Sequence, residues 1–156
     1  MEIEKKLNAL GFEVPVSSKP AGTYIGHVQV GNILFVGGNI GRFDGQPLKY
    51  SGKVGDAVTL EQAYEMARNC ALNHLAKIKA ALGDLDRVER IVKVTGYVNV
   101  APGFKDMPKV INGESDLLVQ LWGERGQHTR AALGVASLSS DAPVETEIIV
   151  EVKSTS

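Results

Sequence analysis

The chain is poor in the residues that announce a staple, a span or a metal. One cysteine in 156 residues, Cys70, excludes an internal disulfide and predicts a reducing compartment, the cytoplasm. No apolar run approaches the roughly 20 residues that cross a bilayer, and the opening MEIEKKLNALGFEVP lacks the apolar core of a signal peptide. Cations are not in excess: 17 Lys and Arg face 18 Asp and Glu, a net charge of −1. No cluster of Lys and Arg tracks a phosphate backbone, so general affinity for nucleic acid is not expected. His27, His74 and His128 lie far apart without metal-ligand spacing, so no metal site is expected. Phosphate-binding glycine loops and a G-x-S-x-G nucleophile turn are missing too.

What is present suits one domain over residues 1–156, long enough to bury a core unaided, with residues 1–16 as an extension carrying a short helix. Ile3, Leu7 and Leu10 at helical spacing with Gly11 as a stop define that helix, read as a lid or edge element. Tyr24 to Val30 and Ile33 to Gly38 read as strands of a hairpin closed by Gly31-Asn32. The glycine-rich stretch from Gly41 to Ala57 reads as an exposed loop. Thr59 and Gln62 form a capping box, after which apolar residues recur from Leu60 to Leu82 at steps of three and four until Gly83. Cys70 and His74 on this helix read as packing residues.

RIVKVTGYVNV alternates Val92, Val94, Gly96, Val98 and Val100 against polar positions, the period of a strand. A second helical region follows in two pieces, with Pro108 in a first turn and Asn112-Gly113 as the interruption. Residues 130–138 and 144–152 read as the last two strands, joined by SSDAP and taken as antiparallel neighbours. The order β-β-α-β-α-β-β predicts an α+β domain: a mixed sheet of about six strands with two main helices on one face.

Chemistry concentrates where GERGQHTR meets the apolar run AALGV. Arg130 at the mouth of that strand is either half of an ion pair with Glu145 or a receptor for a substrate carboxylate, with Glu145 orienting or deprotonating a water. The residues alone leave both readings open.

The segments TYIGHVQVGNILFVGGNI, VKVTGYVNV and HTRAALGVASLSSDAPVETEIIVEV resemble the Rid, or YjgF-type, family of reactive intermediate deaminases, in its longer-chain branch. The resemblance implies a fold like chorismate mutase of the bacillus type and a homotrimer with clefts between subunits. It implies hydrolysis of 2-imino and 2-enamino acids to 2-oxo acids and ammonia, a chemistry that needs no cofactor and takes a small carboxylate substrate. By position, Arg130 matches the carboxylate-binding arginine, Glu145 the acid supporting the attacking water, and Tyr24 the aromatic lining the cleft. Asn112 and Gly37 match further substrate-contacting positions. The chain departs from deaminating members at Ala132, where they commonly carry cysteine, and at Gly37-Gly38-Asn39, where they often carry Ser-Gly-Gln. A ligand-binding trimer without turnover and a ribonuclease are the alternative functions.

Overall fold

The computed structural model describes residues 1–155. Its longest helix, Leu60–Leu82, starts where Thr59 Oγ1 accepts from the Gln62 amide at 3.1 Å and Gln62 Oε1 accepts from the Thr59 amide at 3.0 Å. It ends at Gly83, whose φ of 82° is a left-handed cap that a side chain would strain. In chain order this helix is α2. It follows α1, Glu2–Ala9, and precedes α3, Met107–Trp122. α1 buries Ile3 and Leu7 at the edge of the helical layer, and the Asp86 carboxylate caps it by accepting from the amides of Glu2 at 2.7 Å and Ile3 at 2.9 Å.

α3 is one continuous helix, not the two pieces that Asn112-Gly113 predicted. Gly113 is there for close approach: a Cβ at this position would lie 2.0 Å from the Tyr64 carbonyl oxygen on α2. Packing of two helices thus overrides the weak helical propensity of Asn-Gly. Beside this contact His74 Nδ1 and Glu114 Oε1 meet at 2.8 Å, both side chains fully buried, so the two helices are joined by a polar lock as well as by shape.

Five strands form one sheet in the order β1-β2-β5-β3-β4: β1 His27–Val30, β2 Ile33–Asn39, β3 Val88–Asn99, β4 Thr129–Val135 and β5 Val144–Val152. About six strands were anticipated; the described residues form five. β1 begins at His27 rather than Tyr24, and β4 ends at Val135 rather than 138. The hairpin at Gly31-Asn32 is present, with Val30 opposite Ile33.

The order of the last strands corrects the sequence reading. β4 and β5 are not neighbours, because β3 lies between them. β3, α3 and β4 make a crossover unit, which forces β4 to run parallel to β3. β5 then inserts between β2 and β3, antiparallel to both, so that its edges are satisfied on each side. Its alternate residues Val144, Thr146, Ile148, Val150 and Val152 are all buried under the helices. A bulge in β3 between Ile91 and Lys93 shifts the alternation, so that Ile91 and Val94 are buried while Val92 is only partly so.

Both main helices cover the same face of the sheet, and the opposite face is open. Val28, Val30 and Phe35 stand exposed there on β1 and β2, as does Leu133 on β4. The glycine-rich segment after β2 is not wholly exposed, because Val54 and Val58 are buried and Val54 bridges to Val100. Among the described residues no helix is long and apolar enough to cross a membrane.

Candidate functional site

Arg130 is the second residue of β4, opposite Val94 in the parallel ladder. Its Nη1 donates to Asn112 Oδ1 at 2.7 Å and to Ser115 Oγ at 3.1 Å, and its Nη2 donates to the Pro108 carbonyl at 3.3 Å. Positions 108, 112 and 115 fall on one stripe of α3, so a single helix face presents all three acceptors. All are neutral, and Arg130 belongs to none of the ion pairs among the described residues.

Behind Ser115 a second contact fixes the pattern. His128 Nδ1 lies 2.6 Å from the Gly126 carbonyl, which only accepts, so Nδ1 carries the hydrogen. In the neutral imidazole Nε2 is then the acceptor, and the Ser115 hydroxyl, 2.9 Å away, donates to it and keeps a lone pair for Arg130.

Tyr24 and Glu145 lie elsewhere, around a cavity of about 410 Å³ lined also by Gly38, Arg42, Lys77 and Ser139. The register of β2 against β5 breaks between Val36 and Asn39, and this bulge carries Gly37 and Gly38. A Cβ on Gly38 would come 3.4 Å from the Glu145 carboxyl carbon, so the glycine leaves room beside the acid. Burial pushes the Glu145 carboxyl above the ordinary carboxylate range; Glu147 adds to this and Lys77 opposes it. Lys77, on α2, donates to the carbonyls of Gly37 and Gly38, each at 3.3 Å. Burial lowers its pKa from the ordinary lysine value, against the opposing influence of Cys70 and Glu145. Cys70 is itself buried, and burial pushes its thiol well up, which leaves it a packing residue as anticipated.

One chain therefore collects the anticipated residues into two groups. Arg130 joins Asn112; Tyr24 and Glu145 join Gly38, whereas Gly37 does not line their cavity and touches it only through its carbonyl, which accepts from Lys77. Arg130 aligns with Val94 and Ile148 on the helix-covered face, whereas Glu145 aligns with Tyr97 and Leu133 on the open one. Sequence reasoning missed Ser115, whose place seven residues after Pro108 on a helix was the available signal. It also missed Lys77, one of two lysines near the end of α2, which carries no sequence signal. Among the described residues no three metal-ligating side chains gather.

A model of the family described as "YjgF/chorismate mutase-like, putative endoribonuclease" matches residues 4–144. Protein TCP17 of Trypanosoma cruzi is 39% identical over 150 residues, which covers 96% of this chain and 93% of that protein. The crystal structure of Atu1372 from Agrobacterium tumefaciens, a protein of unknown function, is 40% identical with a TM-score of 0.89 and covers 98% of this chain and 93% of that one. A "putative endoribonuclease" from Shewanella oneidensis MR-1 is 30% identical with a TM-score of 0.92, over 97% of this chain and 100% of its own.

Proposed function

We propose that this chain, which belongs to the YjgF/chorismate-mutase-like family, hydrolyses small 2-imino or 2-enamino acids to 2-oxo acids and ammonia in a cleft between two copies of itself. The observation that carries the reading is the state of Arg130: a guanidinium held in place by three neutral oxygens and paired with no carboxylate among the described residues. Three of its five N–H donors are spent on Asn112, Ser115 and Pro108, and the Nε–H and one Nη2 hydrogen remain. Two free donors on a fixed cation suit a carboxylate, which accepts them as charge-assisted bonds. A structural ion pair would have used them already.

Arg130 and Glu145 face apart within a chain, so a ligand that touches both needs a second copy. The open sheet face supports assembly: Val28, Val30 and Phe35 lie exposed on adjacent strands. The homotrimer implied by the sequence resemblance supplies three such clefts. In each, Arg130 of one copy anchors the substrate carboxylate while Glu145 of the next takes a proton from the attacking water. Tyr24, 62% exposed beside the cavity, covers the substrate with its ring. No step requires a metal or cofactor.

The test generates 2-imino acids in place with an amino acid oxidase and follows their semicarbazone with and without the protein. Accelerated loss supports the hydrolase reading. Binding of 2-oxo acids without acceleration identifies the alternative, a ligand-binding assembly. The ribonuclease reading has less support: His128 is committed to Ser115 and Gly126, His74 is buried against Glu114, and His27 lies on the far edge strand.

A further inference from the structure

We propose that Lys77 is a second catalytic residue of the cavity, the general acid that protonates the substrate nitrogen while Glu145 deprotonates the attacking water. The inference rests on the hydrolase reading.

Residues 70, 73 and 77 form one stripe of α2 that faces the bulge and the loop after it. Cys70 Sγ donates to the Asn39 carbonyl at 3.3 Å, and Asn73 Nδ2 donates to Asn39 Oδ1 at 3.2 Å and to the Arg42 carbonyl at 2.9 Å. These are anchoring contacts between neutral groups. Lys77 continues the stripe with a cation where an amide would have served for anchoring. Its ammonium has three N–H donors, of which the carbonyls of Gly37 and Gly38 engage two. Nζ thus keeps one donor in a side chain that lines the cavity. Gly38 accepts from Lys77 through its carbonyl, and a Cβ on it would lie 3.4 Å from the Glu145 carboxyl carbon, yet the two charges form no ion pair within 4.0 Å. An acid and a base held on one cavity wall without neutralising each other is the arrangement that proton transfer in two directions requires. Burial supports the assignment, since it makes the ammonium a readier proton donor than an exposed lysine.

The balance closes. In the first step the Glu145 carboxylate takes one proton from water, the hydroxide so formed bonds to C2 of the imine, and the C=N π pair takes a proton from the Lys77 ammonium. A neutral carbinolamine results. In the second step the Glu145 carboxylic acid protonates the amino nitrogen and the neutral Lys77 amine removes the hydroxyl proton. The C–N bond breaks, ammonia leaves with the bonding pair, and the 2-oxo acid forms. Both side chains return to their starting states.

The test compares Lys77→Arg and Lys77→Met with the parent in the full, assembled protein. Arginine keeps a cation able to donate to the two glycine carbonyls but does not release its proton in the assay range. A general acid predicts kcat reduced about 100-fold in both variants with KM changed less than about threefold. It also predicts loss of the alkaline limb of the kcat–pH profile in Lys77→Arg. An anchoring role predicts near-parental turnover and an unchanged alkaline limb in Lys77→Arg, and that result overturns the proposal. Should Lys77→Met fail to fold, Lys77→Arg decides alone. A parent protein inactive on 2-imino acids is a different result: it removes the hydrolase reading, and this role of Lys77 with it.

Discussion

Arg130 and Glu145 stand two strands apart on opposite faces of the sheet, with β3 between them. Two strand spacings sideways and three residues along place their Cα atoms roughly 14 Å apart. They neither neutralise one another nor share a ligand within a chain. The Arg130 guanidinium is instead held by Asn112, Ser115 and Pro108, while Glu145 lines a cavity whose wall does not include Arg130.

If Arg130 grips a substrate carboxylate, Arg130→Ala removes about 2–4 kcal/mol of transition-state stabilisation, roughly 30- to 1,000-fold in kcat/KM, with the melting temperature nearly unchanged. Arg130→Lys restores little, because an ammonium lacks the planar fork. Asn112→Asp places a carboxylate on Nη1 and should weaken binding of carboxylate ligands by about tenfold. Steady-state kinetics and thermal melts on the same preparations check all three. Full activity in a destabilised Arg130→Ala protein would rule out the receptor role.

A composite cleft makes two dead variants complementary. Arg130→Ala and Glu145→Gln chains, each inactive alone, should recover about a quarter of parental activity per site when co-expressed at equal levels, since random cyclic assembly restores that share of clefts. Sedimentation establishes the assembly, and Phe35→Asp on the open face should both dissociate it and abolish turnover. No recovery in verified mixed assemblies would place Arg130 and Glu145 outside a common site.

Glu145→Gln should lower kcat by about 10²–10⁴-fold, as the loss of a general base does. Its effect on stability has the opposite sign. The folded-state pKa of Glu145 is raised by burial, so the native state binds more protons than the unfolded one across the intervening window. Stability present below the unfolded value is lost as pH rises through the folded value. The glutamine variant escapes that loss, so it should melt above the parent at neutral pH, with the difference shrinking toward pH 4. A lower melting temperature for Glu145→Gln at pH 7 contradicts the assignment.

Gly113→Ala separates a packing glycine from a helix break. The new Cβ would meet the Tyr64 carbonyl at 2.0 Å, so α2 and α3 must part. Overpacking of this kind costs about 1–3 kcal/mol or more, beyond the roughly 1 kcal/mol gained in helix propensity. Denaturant melts should show the loss, and kcat/KM should fall too, because Asn112 and Ser115 move with α3. A stabilised protein would mean that the helices do not approach as closely as described.

Local elements were legible because their signals are local. The Thr59 and Gln62 capping box, the stop at Gly83 and the alternation of β5 each depend on residues within a few positions of one another, and each stands where the pattern put it. Arg130 and Glu145 were legible as residue types suited to anion binding and proton transfer. The sequence could not tell whether they paired, since an arginine at a strand mouth reads alike with or without a carboxylate opposite. It also gave Gly113 the meaning that Asn-Gly has in isolation, a break, because the carbonyl it accommodates lies 49 residues earlier on another helix.

The sequence by itself determined the bounds of α2 and β5, which side chains of β5 share a face, and the segments that carry the family resemblance. Tertiary structure decided the order of the strands. The short turn at Ser139–Asp141 suggests a hairpin, but β4 is drawn to the outer edge by the α3 crossover and β5 passes to the far side of β3. Periodicity within a strand records which face a residue takes and carries no information about which strand lies alongside. That choice is made by long-range burial and by the need to satisfy both edges of the central strand, and it separates Arg130 from Glu145.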